Sequence, residues 1–382
     1  MTAHPDPRLR DLAGAPAPLS WLIMATHVPA TGTGGGMIRY AVELTRALHD
    51  RDDVDLSVLA VASARPFFED LVGRPDRVLS MPGLPVPART ALERLGLPRR
   101  SALRRFDVVH GTKHVLPRQV GRTRVLTVHD MLPIDRPQDF GRLKRTLLTR
   151  PYLASVREAD ALLCVSAATR VRLESYVPEV GGRTSVVPLA MSTTLGTVEA
   201  VPVAALRGRT FALVVGDPSP RKNLGMVIDL WPRISAARPG TILAVVGPPG
   251  WGTSEWGTAH KQLVDSGSLL QLGQVPDSQL RWCYENAAVV LCPSRLEGFG
   301  LPAIEAQSFG APLITSLDPA LCEVSGDAAV HLPDDDADGW TAAIVAVVGA
   351  GRAGASPRPT RGWAEVAEET VAAVRTRIAT TS

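Results

Sequence analysis

One rhythm constrains this chain more than any other feature. Short, continuously apolar runs rich in β-branched residues alternate with stretches of helical period, and the whole series occurs twice. The first series reads "WLIMAT" (Trp21–Thr26), "DLSVLAV" (Asp55–Val61), "FDVVH" (Phe106–His110), "RVLTVHD" (Arg124–Asp130) and "ALLCVS" (Ala161–Ser166). The second reads "TFALVVG" (Thr210–Gly216), "TILAVVG" (Thr241–Gly247), "LLQLG" (Leu269–Gly273), "AAVVLCP" (Ala287–Pro293) and "PLITS" (Pro312–Ser316). A strand apolar on both faces must be covered on both, which calls for a parallel sheet sandwiched by helices. The expected fold class is therefore α/β: two doubly wound, parallel-sheet (Rossmann-like) domains facing across a cleft at the carboxyl ends of their strands.

Length agrees, since 382 residues exceed one ordinary core. The expected division is a flexible tail over 1–18, a first domain over 19–195 and a second over 205–350. The weakly periodic segment Pro188–Arg209 reads as the linker. A breaker-rich stretch, Gly349–Gly362, precedes a last amphipathic helix over 363–380. The N-terminal stretch lacks the charged and apolar regions of a signal peptide, and no apolar run is long enough to cross a bilayer.

A hydrophobic content of 45% with 21% charged residues describes a globular chain, and a cytoplasmic one is expected. Cys164, Cys283, Cys292 and Cys322 show no metal-ligand spacing, and Cys164 and Cys292 fall in strands as small buried groups. No metal site and no cofactor are expected, and no nucleic-acid partner is indicated. The net charge of +3 hides an excess in residues 101–150, with 11 basic against 4 acidic side chains. "RLKRTLLTR" (Arg142–Arg150) reads as a solvated helix face or as a patch for an anionic acceptor or a membrane surface.

Four motifs carry chemistry. "GTGGGMIRY" (Gly32–Tyr40) follows the first strand and opens a helix, where glycine permits close approach and a helix N-terminus favours anions. Met37 breaks the dinucleotide fingerprint and no acidic residue ends the second strand, so the motif reads equally as a turn or a ligand loop. "RVLTVHDMLP" sets His129 at a strand's carboxyl end, where it either meets a substrate hydroxyl or is satisfied by backbone and Asp130. "VVGDPSPRKNL" places Arg221 and Lys222 after Gly216, before a helix that Asn223 is expected to cap. Such a pair is an ordinary wet turn or, at a cleft, a diphosphate clamp. Finally, "PSRLEGFGLPAIEAQ" (Pro293–Gln307) sets Glu297 and Glu305 eight residues apart around a helix start, with Pro302 in the first turn and Gly310 beyond its end.

Together these segments resemble the retaining glycosyltransferases of family four, which have the GT-B fold, over nearly the whole chain. The "EGFGLPAIEA" stretch is the most specific mark. The resemblance implies that the second domain binds a nucleotide-diphosphate sugar and the first domain an acceptor, with the last helix crossing back to the first domain. Arg221 and Lys222 would hold the diphosphate, and Glu305 the ribose. Glu297 and the amides around Gly298, Phe299, Gly300 and Leu301 would hold the sugar. His129 would stand near the reacting carbon, Gly35 and Gly36 would approach the phosphates, and Gly216 and Val275 would line the donor site. No metal is expected, "PDDDAD" (Pro333–Asp338) being a solvated loop. Asp217 and Ala364 depart from the family's usual residues.

The implied activity is transfer of a hexose to a glycan, lipid-linked or small-molecule acceptor. Mannose from GDP-mannose is the first choice, through likeness to polysaccharide mannosyltransferases around "GTKHVLP" and "TVHDMLPIDRP". The alternatives are a nucleotide-sugar epimerase and a non-catalytic nucleotide-sugar-binding protein.

Overall fold

The computed structural model describes residues 17–97, 100–118, 120–248, 258–351, 357–359 and 361–381. The tail expected over 1–18 lies outside the described residues except for Ala17 and Pro18, which are exposed. Residues 352–356 and 360 of the breaker-rich stretch also lie outside them.

The first series of apolar runs forms β1 (Leu19–Met24), β2 (Val54–Val61), β3 (Val78–Met81), β4 (Val108–Gly111), β5 (Thr123–Val128), β6 (Ala161–Cys164) and β7 (Thr184–Val186). The second forms β8 (Phe211–Val215), β9 (Ile242–Val246), β10 (Leu269–Gly273), β11 (Val289–Cys292), β12 (Leu313–Ser316) and β13 (Val330–Leu332). Both sheets are parallel, ordered β3-β2-β1-β4-β5-β6-β7 and β10-β9-β8-β11-β12-β13. The central strands are buried on both faces, as continuous apolar runs demand. The edge strands β3, β7 and β13 went unread in the sequence because they are short and half-exposed, with no continuous apolar run.

In each sheet the chain reverses direction beside the first strand, between β1 and β4 and between β8 and β11. Loops leaving the two strands at such a point splay apart and leave a crevice at their carboxyl ends. The two crevices face each other, and residues from both domains meet there.

Pro188–Arg209 is more than a linker. It contains a short helix, Thr193–Thr197, and Leu189, Ala190, Leu195, Val203 and Leu206 are buried. Its low periodicity reflects short turns rather than exposure. The Glu43 carboxylate accepts hydrogen bonds from Ser192 Oγ (2.8 Å) and the Thr193 amide (2.9 Å), fastening the crossover to the helix Gly36–His49. The last helix, Trp363–Thr381, lies on that same helix. Val366, Ala367, Val371 and Val374 enter the first domain's core, and Trp363 Nε1 donates to the Met191 carbonyl (2.9 Å).

Candidate active site

At the second domain's crevice, the turn after β8 and the loop after β11 deliver three charges to one point. Arg221 Nη1 lies 2.9 Å from Glu297 Oε2, and Lys222 Nζ lies 2.6 Å from Glu297 Oε1. The Lys222 stem runs past Gly216, which directly follows β8. The three side chains are mostly buried, so their attraction is weakly screened. Burial alone would raise the Glu297 carboxyl, but Lys222 and Arg221 outweigh it and hold it down to about 2. Arg221 is itself held charged: burial opposes its charge, and Glu297, Asp130 and Asp217 more than compensate. The result is a cation pair with a single carboxylate between them.

Glu305 sits one turn into the helix Leu301–Ser308 and is buried. Its Oε2 accepts a hydrogen bond from Tyr284 Oη (2.6 Å). Its Oε1 lies 3.5 Å from Arg39 Nη1, and Arg39 Nη2 pairs with Asp277 at 2.9 Å. Arg39 belongs to the first domain, so this contact spans the cleft. Burial raises the Glu305 carboxyl, and the Arg39 charge and the Tyr284 hydroxyl oppose that rise. The two glutamates, identical in sequence, thus sit in different fields.

Between them the chain turns tightly. Gly300 has φ of 105°, in the left-handed region where glycine is favoured, and Pro302 occupies the first helical turn. Gly310, with φ of 61°, closes the helix beyond Phe309. A Cβ built on Gly298 would stand 1.5 Å from the His129 carbonyl oxygen, so only glycine permits this approach of the two domains. The Gly298 carbonyl accepts from Ser166 Oγ (2.6 Å) and Thr169 Oγ1 (2.9 Å) of the first domain. In return, the Glu323 carboxylate of the second domain caps the helix Ala167–Tyr176, accepting from the amides of Ala167 (2.8 Å) and Ala168 (2.9 Å). Phe299 is packed into the first domain's core.

His129 follows β5 directly. Its Nε2 lies 3.0 Å from the Thr112 carbonyl, which can only accept, so Nε2 carries the hydrogen and Nδ1 is left as an acceptor. Burial favours the neutral ring; the Thr112 contact and Asp130 counter only part of that effect. Tyr40 packs edge-on against the imidazole, with ring centroids 4.8 Å apart. The local satisfaction considered for this histidine therefore comes from Thr112, while Asp130 Oδ1 accepts from the Leu132 amide (3.0 Å).

Gly35 precedes the helix Gly36–His49, with open space where a side chain would be, and a Cβ on Gly36 would stand 3.3 Å from Leu301 Cδ1. The glycine loop thus meets the start of the Glu305 helix across the cleft. Val275, after β10, is partly buried and packs against the second domain's apolar core. Asn223 is not the side-chain cap expected. It adopts a left-handed conformation (φ 54°), and its Nδ2 donates to the Asp334 carbonyl (2.8 Å) instead. Within "PDDDAD", Asp336 is not merely solvated, since it caps the helix Ala337–Ala350. Among the described residues no cluster of three His, Cys, Asp or Glu is placed to hold a metal ion, and no helix is long and apolar enough to cross a membrane.

Sequence reasoning missed Arg39, Asp277, Tyr284, Ser166, Thr169 and Glu323. Arg39 stands three residues after Gly36 in a motif already singled out, so it was within reach. Ser166 closes the run "ALLCVS" just before a helix, where a serine is a usual cap, but nothing local marks it or the other four as contacts at the cleft.

Two doubly wound parallel-sheet domains face each other, with the Arg221, Lys222 and Glu297 charges at the second domain's switch point and His129 at the end of β5 in the first; this is the GT-B architecture. Residues 202–348 match the family model for glycosyl transferases group 1, and residues 34–195 match that for glycosyltransferase family 4. The chain belongs to the family-four glycosyltransferases. It is 29% identical over 350 residues to O-antigen chain mannosyltransferase B of Escherichia coli, covering 85% of this chain and 89% of that one. It is also 29% identical over 398 residues to D-inositol 3-phosphate glycosyltransferase of Kribbella flavida, covering 91% and 92%. Among solved structures, sucrose-phosphate synthase from Thermosynechococcus elongatus superposes with a TM-score of 0.66 at 17% identity, covering 95% of this chain and all of that one. HepE of Anabaena, solved with UDP and glucose, gives 0.67 at 15% identity, covering 94% and 100%. The two structures speak for the fold alone.

Proposed function

We propose that this protein is a retaining, metal-independent hexosyltransferase that uses a nucleotide-diphosphate sugar, with mannose carried by GDP as the first choice of donor. The observation that carries the reading is the Arg221–Lys222 pair held by Glu297 beside the His129 end of β5. The mannose assignment is supported by likeness to the O-antigen mannosyltransferase.

In this reading the donor's diphosphate binds Arg221 and Lys222 in exchange for the Glu297 carboxylate. Glu297 then turns to the sugar hydroxyls, Glu305 receives the ribose, and the amides of Gly298, Phe299 and Gly300 face the donor. The bond from the anomeric carbon to the phosphate oxygen breaks as the acceptor oxygen attacks from the same face. The acceptor's proton passes to the departing phosphate oxygen. Fixed cations lower this barrier because negative charge grows on the leaving group, an effect of about 3–4 kcal/mol for a single well-placed donor. His129, neutral with Nδ1 as acceptor, receives a sugar hydroxyl near the reacting carbon. Gly35 and Gly36 bring the first domain's helix start to the phosphates.

The acceptor is a glycan, a lipid-linked saccharide or a small molecule bound by the first domain. We assign the protein to the cytoplasm, with peripheral contact at the inner face of the membrane through 142–150, where Arg145, Leu147 and Arg150 are exposed. The test of the activity is release of nucleoside diphosphate from GDP-, UDP-, dTDP- and ADP-sugars by the purified protein. Release from one donor class supports transfer. Tight nucleotide binding with inertness toward all four would favour a non-catalytic binding protein.

A further inference from the structure

We infer that Arg39 is a positioning residue: reaching from the first domain across the cleft, it orients the Glu305 carboxylate for the nucleotide's ribose when the two domains close. The inference rests on the proposed role of Glu305 and extends it to a residue outside the donor domain.

The geometry supplies the argument. Arg39 stands on the helix Gly36–His49, one turn beyond the glycine loop, and its guanidinium divides between two carboxylates of the opposite domain. One branch is fixed on Asp277 at 2.9 Å; the other lies 3.5 Å from Glu305 Oε1. The Asp277 contact is a full hydrogen bond and acts as the anchor. The Glu305 contact is long, at the outer limit of a hydrogen bond, and leaves that oxygen open to a better donor. A carboxylate oxygen has two acceptor sites. Glu305 Oε2 uses one on Tyr284 Oη at 2.6 Å, so each oxygen keeps a lone pair for a ribose hydroxyl while the group is held from two sides. No other first-domain side chain pairs with Glu305 among the described residues. Opening the cleft therefore removes Arg39 from Glu305 and leaves Tyr284 alone to orient it.

Charge makes the arrangement testable. The titratable and charged groups that act on Glu305 are Arg39 from the first domain, Asp277 and Tyr284 from the helix Asp277–Asn286, Lys222 from the turn after β8, and Cys292 at the end of β11. Burial and Asp277 push the Glu305 carboxyl up; Arg39 is the leading influence against them. Without Arg39 the carboxyl gains a proton at higher pH. A protonated Glu305 loses acceptor capacity toward the ribose, so nucleotide affinity falls off at a less acidic pH.

The experiment measures binding of GDP, UDP, dTDP and ADP by calorimetry between about pH 5.5 and about pH 8.5, following whichever binds the wild type. Arg39→Gln is expected to bind more weakly throughout and to lose a further factor of up to about tenfold at the acid end, for each unit by which the carboxyl rises. Arg39→Lys, which keeps the charge, restores the wild-type pH dependence while binding more weakly. Asp277→Asn, which loosens the anchor and spares the cation, weakens binding without moving the pH dependence toward that of Arg39→Gln. Parallel pH profiles for wild type and Arg39→Gln overturn the inference, as does failure of Arg39→Lys to restore the profile. Glu305→Gln separates this from the underlying reading. If that variant binds nucleotide like the wild type, the ribose role of Glu305 is wrong; if it binds weakly while the Arg39 variants do not, only the role of Arg39 falls.

Discussion

Replacing Glu297 by glutamine should do two opposite things to this protein. The carboxylate is 9% exposed and lies 2.9 Å from Arg221 and 2.6 Å from Lys222. Glutamine keeps the shape and one acceptor oxygen but removes the carboxylate charge that pairs directly with both mostly buried cations, leaving Arg221 the more distant Asp130 and Asp217. Removing one partner of a buried ion pair costs about 3–5 kcal/mol, because the remaining charge loses its compensation. The retained amide oxygen places Glu297→Gln near the lower bound. At roughly 2–4 °C per kcal/mol for a domain of this size, the melting temperature should fall by about 6–12 °C. A nucleoside diphosphate supplies the missing negative charge, so its stabilising effect should be larger on the variant than on the wild type. Turnover should nevertheless drop, since the sugar loses its carboxylate. Thermal melts with and without GDP or UDP read both effects. An unchanged melting temperature in Glu297→Gln, or equal stabilisation of both proteins by nucleotide, would refute the idea that Glu297 holds the diphosphate's place.

Other outcomes follow from the same geometry. Gly298→Ala should fold but lose nearly all activity, because its Cβ would collide with the His129 carbonyl at 1.5 Å; Gly35→Ala, with open space around it, should keep its stability, and scattering from the two variants would report the open and closed cleft. Acid should act through Glu297. Its carboxyl is held at about 2 against an ordinary value of 4.5, so the site's contribution is complete above the ordinary value and is lost as pH falls toward the folded one. Nucleotide-free stability should therefore decline steeply below about pH 4.5, by about 3 kcal/mol, and less so in Glu297→Gln. Activity should survive chelation; loss on chelation with recovery on adding magnesium would contradict the metal-free mechanism.

The fold was legible wherever physics acts locally. β1, β4, β8 and β11 are continuous apolar runs because both faces are covered, and Pro302 and Gly310 punctuate the Glu305 helix as their backbone preferences require. What was not legible depends on chain separation or on a single torsion. Glu297 and Lys222 are 75 residues apart, and nothing in either motif says that one carboxylate spans both cations. Tyr284 looks like any core aromatic until Glu305 is set beside it. Asn223 has the composition of a cap, and its left-handed torsion alone turns the side chain toward Asp334. Gly298 reads as one of several loop glycines, and its necessity comes from a backbone in the other domain.

The central claim is that the second domain's cation pair takes the donor's diphosphate and stabilises it as it leaves. The most direct measurement is the rate of nucleoside diphosphate release from the preferred nucleotide sugar by Lys222→Ala beside wild type, with circular dichroism confirming the fold. A loss of about 100-fold or more, at saturating donor, is the expected result. Wild-type release by a folded Lys222→Ala protein would contradict it.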